Sequence, residues 1–233
     1  MTVFGEIEPL PAGCQPTRDL RTELPDARLN DINGVWTWVR GHRPEGYHDP
    51  ENEPDLFGVF PDRSAPVVAL NADGTPEWRE MRWGFPPPKA GLRPVTNVRN
   101  TSSSFWRTFL KPEWRVVVPF DEFVEFSDAL PKRKHFFSVT DNQPPAFAGI
   151  WRRWEGTRGA KANSVTGQHD LFAILTTEPN DVVAPIHAKA MPVLLAGEAE
   201  QRAWLDMPVE DAIALQARVF PPERMRVSTT SHV

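Results

Sequence analysis

The 233-residue sequence is poor in cysteine, and this scarcity excludes several classes of protein. Its one cysteine, Cys14, has no second thiol in the chain with which to pair. An internal disulfide framework and a zinc site built from several cysteines are therefore excluded. A chain with one cysteine is typical of a reducing compartment.

Long apolar runs are absent as well. No stretch reaches the roughly 20 apolar residues that a membrane-spanning helix needs, and the N-terminus shows no signal-peptide pattern. We therefore expect a cytoplasmic protein that does not insert into a membrane.

The sequence also lacks an excess of positive charge. Its formal net charge is −5 and its pI is about 5.7. Proteins that coat duplex DNA by charge alone need a broad basic face. The composition excludes that mode of binding and leaves room for one local basic groove.

The apolar fraction of 40%, with nine tryptophans, is enough for a substantial core. No Gly/Ser-rich or low-complexity linker divides the chain, so we predict one compact domain over residues 56–225 with a tail at 226–233. Residues 1–55 contain proline and glycine throughout and cannot sustain a long element. We expect that segment to be loosely ordered, with Val35–Val39 as its one strand-like piece.

Short elements follow one another after Leu56. We expect the apolar run from Leu56 to Leu70 to break at Pro61 and Pro66, and Gly156–Gly167 to form a polar loop. The pattern predicts strands at Glu77–Phe85, Val116–Phe120, His135–Val139, Pro145–Trp151, Leu171–Thr177 and Pro192–Leu195, a short helix around Phe105–Leu110, a helical turn at Asn180–Ala184, and outer helices at Glu198–Leu205 and Val209–Ala217. Many short strands with few helices indicate an α+β fold with a curled, mostly antiparallel sheet or barrel and peripheral short helices.

Three residues are candidates for proton chemistry. Glu125 follows a buried strand among apolar neighbours, where partial burial would raise its pKa toward neutrality. His187 lies in a connection between two prolines, and histidine is the usual proton carrier. Asn97 precedes the aromatic helix. Each has a structural alternative: an exposed strand-end carboxylate for Glu125, a structural histidine for His187 and a turn residue for Asn97.

The common enzyme signatures are missing. The sequence contains no zinc-ligand pattern, Walker loop, GxGxxG or G-x-S-x-G nucleophile elbow. Neither a metal nor a cofactor is expected.

Six motifs carry a family resemblance. They are MRWGFPPP at Met81–Pro88, TNVRN at Thr96–Asn100, SFWRTFL at Ser104–Leu110, RVVVPFDEFVEF at Arg115–Phe126, FAGIWRRW at Phe147–Trp154 and FAILTTEPNDVVAPIHAKAMPVLL at Phe172–Leu195. In their order and spacing they resemble the SOS response-associated peptidase (SRAP) family, whose members crosslink to abasic sites in single-stranded DNA.

The resemblance implies roles for individual residues. Asn97 matches the asparagine that holds the reactive N-terminal residue and the sugar, Glu125 the acid/base glutamate, and His187 the catalytic histidine. The family's basic residues near phosphates correspond to Arg99, Arg107 and Lys189, although the family more often has arginine at the last position.

Aromatic residues complete the implied DNA site. Trp83 resembles the aromatic residue beside the lesion. Trp106 and Phe126 would add faces on which bases stack, unless they belong to the core. The expected partner is single-stranded DNA that contains abasic sites, bound by a monomer that is nucleoid-associated when it holds DNA.

The N-terminus departs from the family pattern. The family's nucleophile is a cysteine directly after the initiator methionine, whereas Thr2 stands there in this chain. Cys14 could serve only after cleavage between Gly13 and Cys14. Alternatively, the N-terminus is divergent, or it is translated from a wrong start or in a shifted reading frame. The resemblance implies abasic-site processing, with a crosslinking-deficient single-stranded DNA-binding relative and a peptidase limited to self-processing as alternatives.

Overall fold

The computed structural model describes residues 59–87, 92–127, 130–141, 144–159 and 164–229. The predicted N-terminal segment, with Thr2, Cys14 and Val35–Val39, lies outside the described residues.

Two sheets organise this part of the chain. The strands are β1 (Ser64–Leu70), β2 (Pro76–Trp83), β3 (Asn97–Val98), β4 (Arg115–Pro119), β5 (Phe123–Phe126), β6 (Lys134–Val139), β7 (Pro145–Arg158), β8 (Val165–Thr177), β9 (Met191–Pro192), β10 (Leu194–Ala196) and β11 (Met225–Ser228). Among the described residues, eight strands form the larger sheet and β11, β6 and β5 form the smaller one.

The larger sheet closes into a barrel. Neighbouring strands follow the order β7, β4, β1, β2 and β8, and β8 pairs again with β7. Pairing is antiparallel except where β2 and β3 run parallel to β8. Closure removes the exposed edges of these strands, and the side chains that point inward form the core.

Strands β7 and β8 separate at one end, and the segment 191–196 fills the gap. The pairing between β7 and β8 ends at Gly149 and Ile174. Beyond it β9 pairs with β8, β10 pairs with β7, and Val193 bonds to both strands. A Cβ at Gly149 would lie 2.9 Å from Cγ2 of Val116 and 3.2 Å from a backbone oxygen of β8, so glycine permits the close approach.

The smaller sheet packs on the barrel through phenylalanines. The rings of Phe123 in β5 and Phe137 in β6 stack at 5.0 Å. Phe123 also meets Phe147 of β7 edge-on at 5.9 Å, and Phe120 stacks on Phe147 at 4.0 Å. These contacts attach β5 to the barrel.

Three short α-helices cover the described part of the barrel. They are α1 (Ser104–Thr108), α2 (Glu198–Asp206) and α3 (Val209–Gln216). The fully buried side chain of Arg115 anchors two of them to β4. Its guanidinium donates to the carbonyls of Leu110 (Nε, 2.7 Å), Trp204 (2.8 Å) and Met207 (2.6 Å). These carbonyls lie just after α1 and at the end of α2, where a helix leaves carbonyls without intrahelical partners.

The α+β fold with a curled, mostly antiparallel barrel is confirmed. Two local expectations were wrong. Strand β1 continues through Pro66, because its pairing with β4 begins only at Val68 and the proline occupies a position without a β4 partner. The predicted polar loop Gly156–Gly167 is strand at both ends, since β7 extends to Arg158 and β8 begins at Val165. The polar composition there reflects exposed strand faces.

Near the C-terminus, β11 runs across residue 225, where the sequence interpretation placed the end of the domain. Met225–Ser228 pair with β6 in the smaller sheet. Residues 226–228 are therefore part of a sheet in this structure.

Candidate active site

Strand β3 presents two of the candidate residues at the rim of the barrel. It runs parallel to β8, with Asn97 beside Ile174 and Val98 beside Leu175. Side chains alternate along a strand, so Val98 is buried in the core while Asn97 and Arg99 are exposed.

The buried side-chain amide of Gln216 forms hydrogen bonds to the backbone of β3 and of the residue that follows it. Nε2 of Gln216, at the end of α3, donates to the carbonyls of Val98 (3.3 Å), Arg99 (2.7 Å) and Thr176 (3.0 Å), and its Oε1 accepts from the hydroxyl of Thr101. One side chain therefore joins α3, β8 and the strand that carries Asn97.

Arg99 connects β3 to the loop that precedes β9. Its Nη1 donates to the carbonyl of Thr177 and to the carbonyl of Lys189, both at 3.0 Å. Its Nη2 forms an ion pair with Glu178. Two cations predicted to contact phosphate, Arg99 and Lys189, are thus neighbours.

A hydrogen-bonded turn leads to His187. Oδ1 of Asn180 accepts from the backbone N–H groups of Val182 (3.1 Å) and Val183 (3.0 Å), and the N–H of His187 donates to the Val183 carbonyl at 2.8 Å. The buried Asn180 amide also donates to the carbonyl of Phe220 at 2.9 Å. The turn is therefore fixed at both ends, and it leaves His187 half-buried next to the segment that contacts Arg99.

Trp83 has a fixed orientation at the end of β2. Its indole N–H donates to the Thr96 carbonyl at 3.1 Å, one residue before Asn97. Its ring lies nearly parallel to Phe172, with centroids 6.3 Å apart. Trp83 remains half-buried, so part of the ring is accessible beside β3.

Helix α1 carries the third predicted phosphate contact. Arg107 is exposed and forms an ion pair with Glu210 in the first turn of α3. The neighbouring Trp106 packs against Phe85, with centroids 5.5 Å apart, and against the core. For Trp106 the structure supports the core alternative.

Glu125 and Phe126 lie in the smaller sheet. Glu125 is half-buried in β5, where the antiparallel register places it opposite His135. Phe126 is 47% exposed, so its ring is available to a ligand. The convergence of Glu125 with Asn97 and His187 stays a prediction, and Cys14 lies outside the described residues.

Comparison with models of protein families identifies the family of this chain. The model described as SOS response associated peptidase (SRAP) matches residues 28–232. The chain belongs to the SRAP family. The match begins within the segment that we expected to be loosely ordered, and it ends after β11.

Solved structures share the SRAP fold of this chain. A Bacteroides thetaiotaomicron protein is 23% identical, with a TM-score of 0.54 over 70% of this chain and 72% of its own. A Bordetella bronchiseptica protein is 20% identical, with a TM-score of 0.59 over 73% and 85%. A phage-related protein of the same species is 23% identical, with a TM-score of 0.54 over 73% and 79%. No curated protein matches the chain.

Family membership supports a role associated with DNA damage. Within the described ranges, no three His, Cys, Asp or Glu side chains group closely enough to hold a metal ion. The helices of those ranges include none that is both long and apolar enough to cross a membrane.

Several residues of this candidate site were not predicted from the sequence. Asn180 had a signal, because an asparagine before an apolar helical turn is a typical N-cap. Gln216, Glu178 and Glu210 had none, since a polar residue on a short helix or after a strand is common on any surface. Their importance comes from partners that are distant in sequence.

Proposed function

We propose that this SRAP protein binds single-stranded DNA across the rim formed by β3, the 187–190 loop and Trp83, and that it acts there on abasic sites. The contact between Arg99 and the Lys189 carbonyl carries the proposal. It brings together two residues with cationic side chains, from segments 90 residues apart, beside Asn97. A local pair of cations on an acidic protein would confine a phosphate backbone to one groove.

The roles follow the family resemblance. Asn97 holds the sugar, Arg99 and Lys189 contact phosphates, and Arg107 extends the path of the strand along α1. The exposed ring of Phe126 and the accessible part of Trp83 provide stacking faces, each of which contributes about 1–3 kcal/mol per base.

Glu125 and His187 supply proton transfer in this proposal. An abasic sugar opens to an aldehyde, and an amine of the protein attacks its carbon to give an imine with loss of water. One group must protonate the leaving oxygen, and another must accept the proton from the amine. Both residues are half-buried, which restricts water around the groups that exchange protons.

A stable adduct requires a further nucleophile. A thiol beside the amine adds to the imine carbon and closes a thiazolidine, whereas a hydroxyl is a far poorer nucleophile than a thiolate. Cys14 is the one thiol of the 233-residue chain, and Thr2 offers a hydroxyl. We therefore propose that the chain binds abasic single-stranded DNA and forms a reversible imine, which corresponds to the crosslinking-deficient alternative of the sequence analysis.

A denaturing gel with labelled abasic oligonucleotide tests this function. The chain and its Cys14→Ser variant should give no heat-stable adduct alone. Both should give one with borohydride, which reduces the imine to a secondary amine. Asn97→Ala, Glu125→Gln and His187→Ala should each lower the trapped fraction by about 10- to 1000-fold, the range expected for loss of positioning or acid–base catalysis.

Two outcomes would change the assignment. A borohydride-independent adduct that disappears in Cys14→Ser would indicate a processed N-terminus, and therefore the self-processing peptidase alternative. An oligonucleotide that neither binds nor is trapped would refute the DNA function. Mass measurement of the purified chain would detect cleavage before Cys14 directly.

A further inference from the structure

The two exposed arginines of the proposed DNA surface share one arrangement. Arg99 pairs with Glu178, and Arg107 pairs with Glu210. In each pair the arginine side chain is about half-exposed and the carboxylate is about 70% exposed (42% and 72% in the first, 46% and 70% in the second). Both carboxylates therefore lie where a DNA phosphate would have to bind.

A phosphate can displace these carboxylates from their arginines at little cost in free energy. An exposed ion pair contributes little to stability, because water and salt screen it and ordering two long side chains costs entropy. The Glu178 side chain is mostly in water already, so its displacement exposes little new surface. A phosphate that binds the same guanidinium gains a charge-assisted hydrogen bond in return.

Arg99 would stay in place during this exchange. Its Nη1 donates to the carbonyls of Thr177 and Lys189, and these bonds do not involve Glu178. Nη2 is therefore aimed at one position, which Glu178 holds in the free protein and a phosphate would hold in the complex. Glu210 is the partner that the structure gives Arg107, so that guanidinium would be less well oriented once the carboxylate leaves.

We infer that Glu178 and Glu210 act as built-in counterions that compete with DNA phosphates for Arg99 and Arg107 and so set the affinity of the site. The inference rests on the proposed function and extends it to two residues that make no contact with DNA in the complex. It accounts for the presence of acidic side chains beside cations that are expected to bind an anion.

Neutral substitutions at the two glutamates should tighten binding. We expect Glu178→Gln to lower the Kd for a labelled single-stranded oligonucleotide about two- to fivefold at low salt, the range that corresponds to release of one exposed ion pair. Glu210→Gln should have a smaller effect, because Arg107 loses its orientation with its partner. The gain should shrink as salt is raised, since screening weakens the competing pair.

Glu198→Gln is the matched control. Glu198 pairs with Arg202 at 2.6 Å in the first turn of α2, as Glu210 pairs with Arg107 from the first turn of α3. The substitution removes the same charge from the first turn of a helix that carries none of the residues placed at the proposed site. It should change the Kd by much less than Glu178→Gln does.

A double-mutant cycle decides whether Glu178 acts through Arg99. In the Arg99→Ala background, Glu178→Gln should leave affinity unchanged, whereas a general effect of net charge would persist. The inference would be overturned if Glu178→Gln raised the affinity for DNA no more than Glu198→Gln does, or if its effect persisted in the Arg99→Ala background. Either result would leave the proposed DNA binding intact. Absence of binding by the unmodified protein and by both Gln variants would overturn the proposed function and this inference together.

Discussion

Arginines occupy two contrasting regions of this protein. Arg115 is fully buried between β4 and the helices, and it donates to backbone carbonyls while its guanidinium lies 5.1 Å from the centre of the Trp204 ring. Arg99 and Arg107 lie at the rim and form ion pairs with exposed carboxylates. The exposed carboxylate partner distinguishes the rim, because a ligand can displace an exposed side chain but not the backbone carbonyls that hold Arg115 within the fold.

Burial also has an electrostatic cost that the rim avoids. Desolvation lowers the pKa of Arg115 from its usual value to about 10, although the nearby charges of Glu113 and Asp206 oppose the shift. Arg115 therefore stays charged at neutral pH. Its fixed carbonyl partners replace the water that burial removed.

The largest effect is expected from Arg115→Met, which tests the buried side of the comparison. The substitution leaves three helix-end carbonyls without their donor, and each buried unsatisfied group costs about 1–3 kcal/mol. The free energy of unfolding should fall by about 3 kcal/mol or more in urea denaturation.

The control for Arg115 is Arg202→Met on the exposed face of α2, which should change stability by less than about 1 kcal/mol. Equal losses in both variants would show that the carbonyl contacts of Arg115 do not anchor the helices.

Intermediate effects are expected at the rim, where binding and stability should separate. Arg99→Ala and Arg107→Ala should each weaken binding to single-stranded DNA and reduce the slope of log K against log salt by about 0.7, since each phosphate contact releases condensed counterions. Arg99→Ala should have the larger effect because its guanidinium is oriented by two carbonyls.

Stability provides the contrast with Arg115. Arg107→Ala should alter the free energy of unfolding by no more than about 0.5 kcal/mol, as is usual for surface substitutions. Fluorescence anisotropy at several salt concentrations measures the slope, and an unchanged slope in both variants would reduce the two arginines to ordinary surface charges.

The sequence predicts the individual strands and helices better than it predicts how they assemble. Strong local patterns located β2, β4, β6 and the outer helices, because alternation and helical spacing are properties of a few neighbouring residues. Closure of the barrel depends on β7 pairing with both β4 and β8, and the insertion of residues 191–196 depends on where those strands separate. Neither is encoded in a short window.

In the candidate site as well, residues within motifs were predicted whereas their distant partners were not. The family resemblance supplied Asn97, Arg99 and His187 from their motifs, yet it could not reveal that Arg99 bonds to Lys189 or that Gln216 reaches back 117 residues to hold Arg99. Such partners are set by the closed barrel. The exposed part of the β7–β8 hairpin misled prediction for a related reason, since strands facing water have the composition of loops.

A half-buried pair lies between the two extremes and gives the smallest expected effect. Glu200 accepts two hydrogen bonds from Arg218, at 2.9 and 2.8 Å, and one from the backbone N–H of Ala196 at 3.0 Å. Burial alone would raise the pKa of Glu200, but these bonds and the charges of Arg218 and Arg224 outweigh it, so the pKa lies below its usual value.

The direction of this shift fixes how stability depends on pH. Because the folded protein holds the Glu200 proton less tightly than the unfolded chain does, the stabilisation is fully present above the unfolded pKa of about 4.3 and is lost as pH falls through the folded value. With side chains 30% and 41% exposed, solvent screening limits the contribution to under about 1 kcal/mol. Glu200→Gln should flatten the acid limb of stability against pH by that amount.

Arg218→Met sharpens the comparison because it removes the cation and leaves the carboxyl half-buried. The effect of burial then meets less opposition, so the acid limb should flatten. It should flatten less than in Glu200→Gln if Arg224 and the Ala196 N–H still outweigh burial, and the slope from Glu200 should reverse if burial prevails over them. Urea denaturation between about pH 3 and pH 6 measures the acid limb of both variants. A full acid slope that persists in Arg218→Met would show that the pair behaves like the exposed ion pairs of the rim, with no stabilisation of its own.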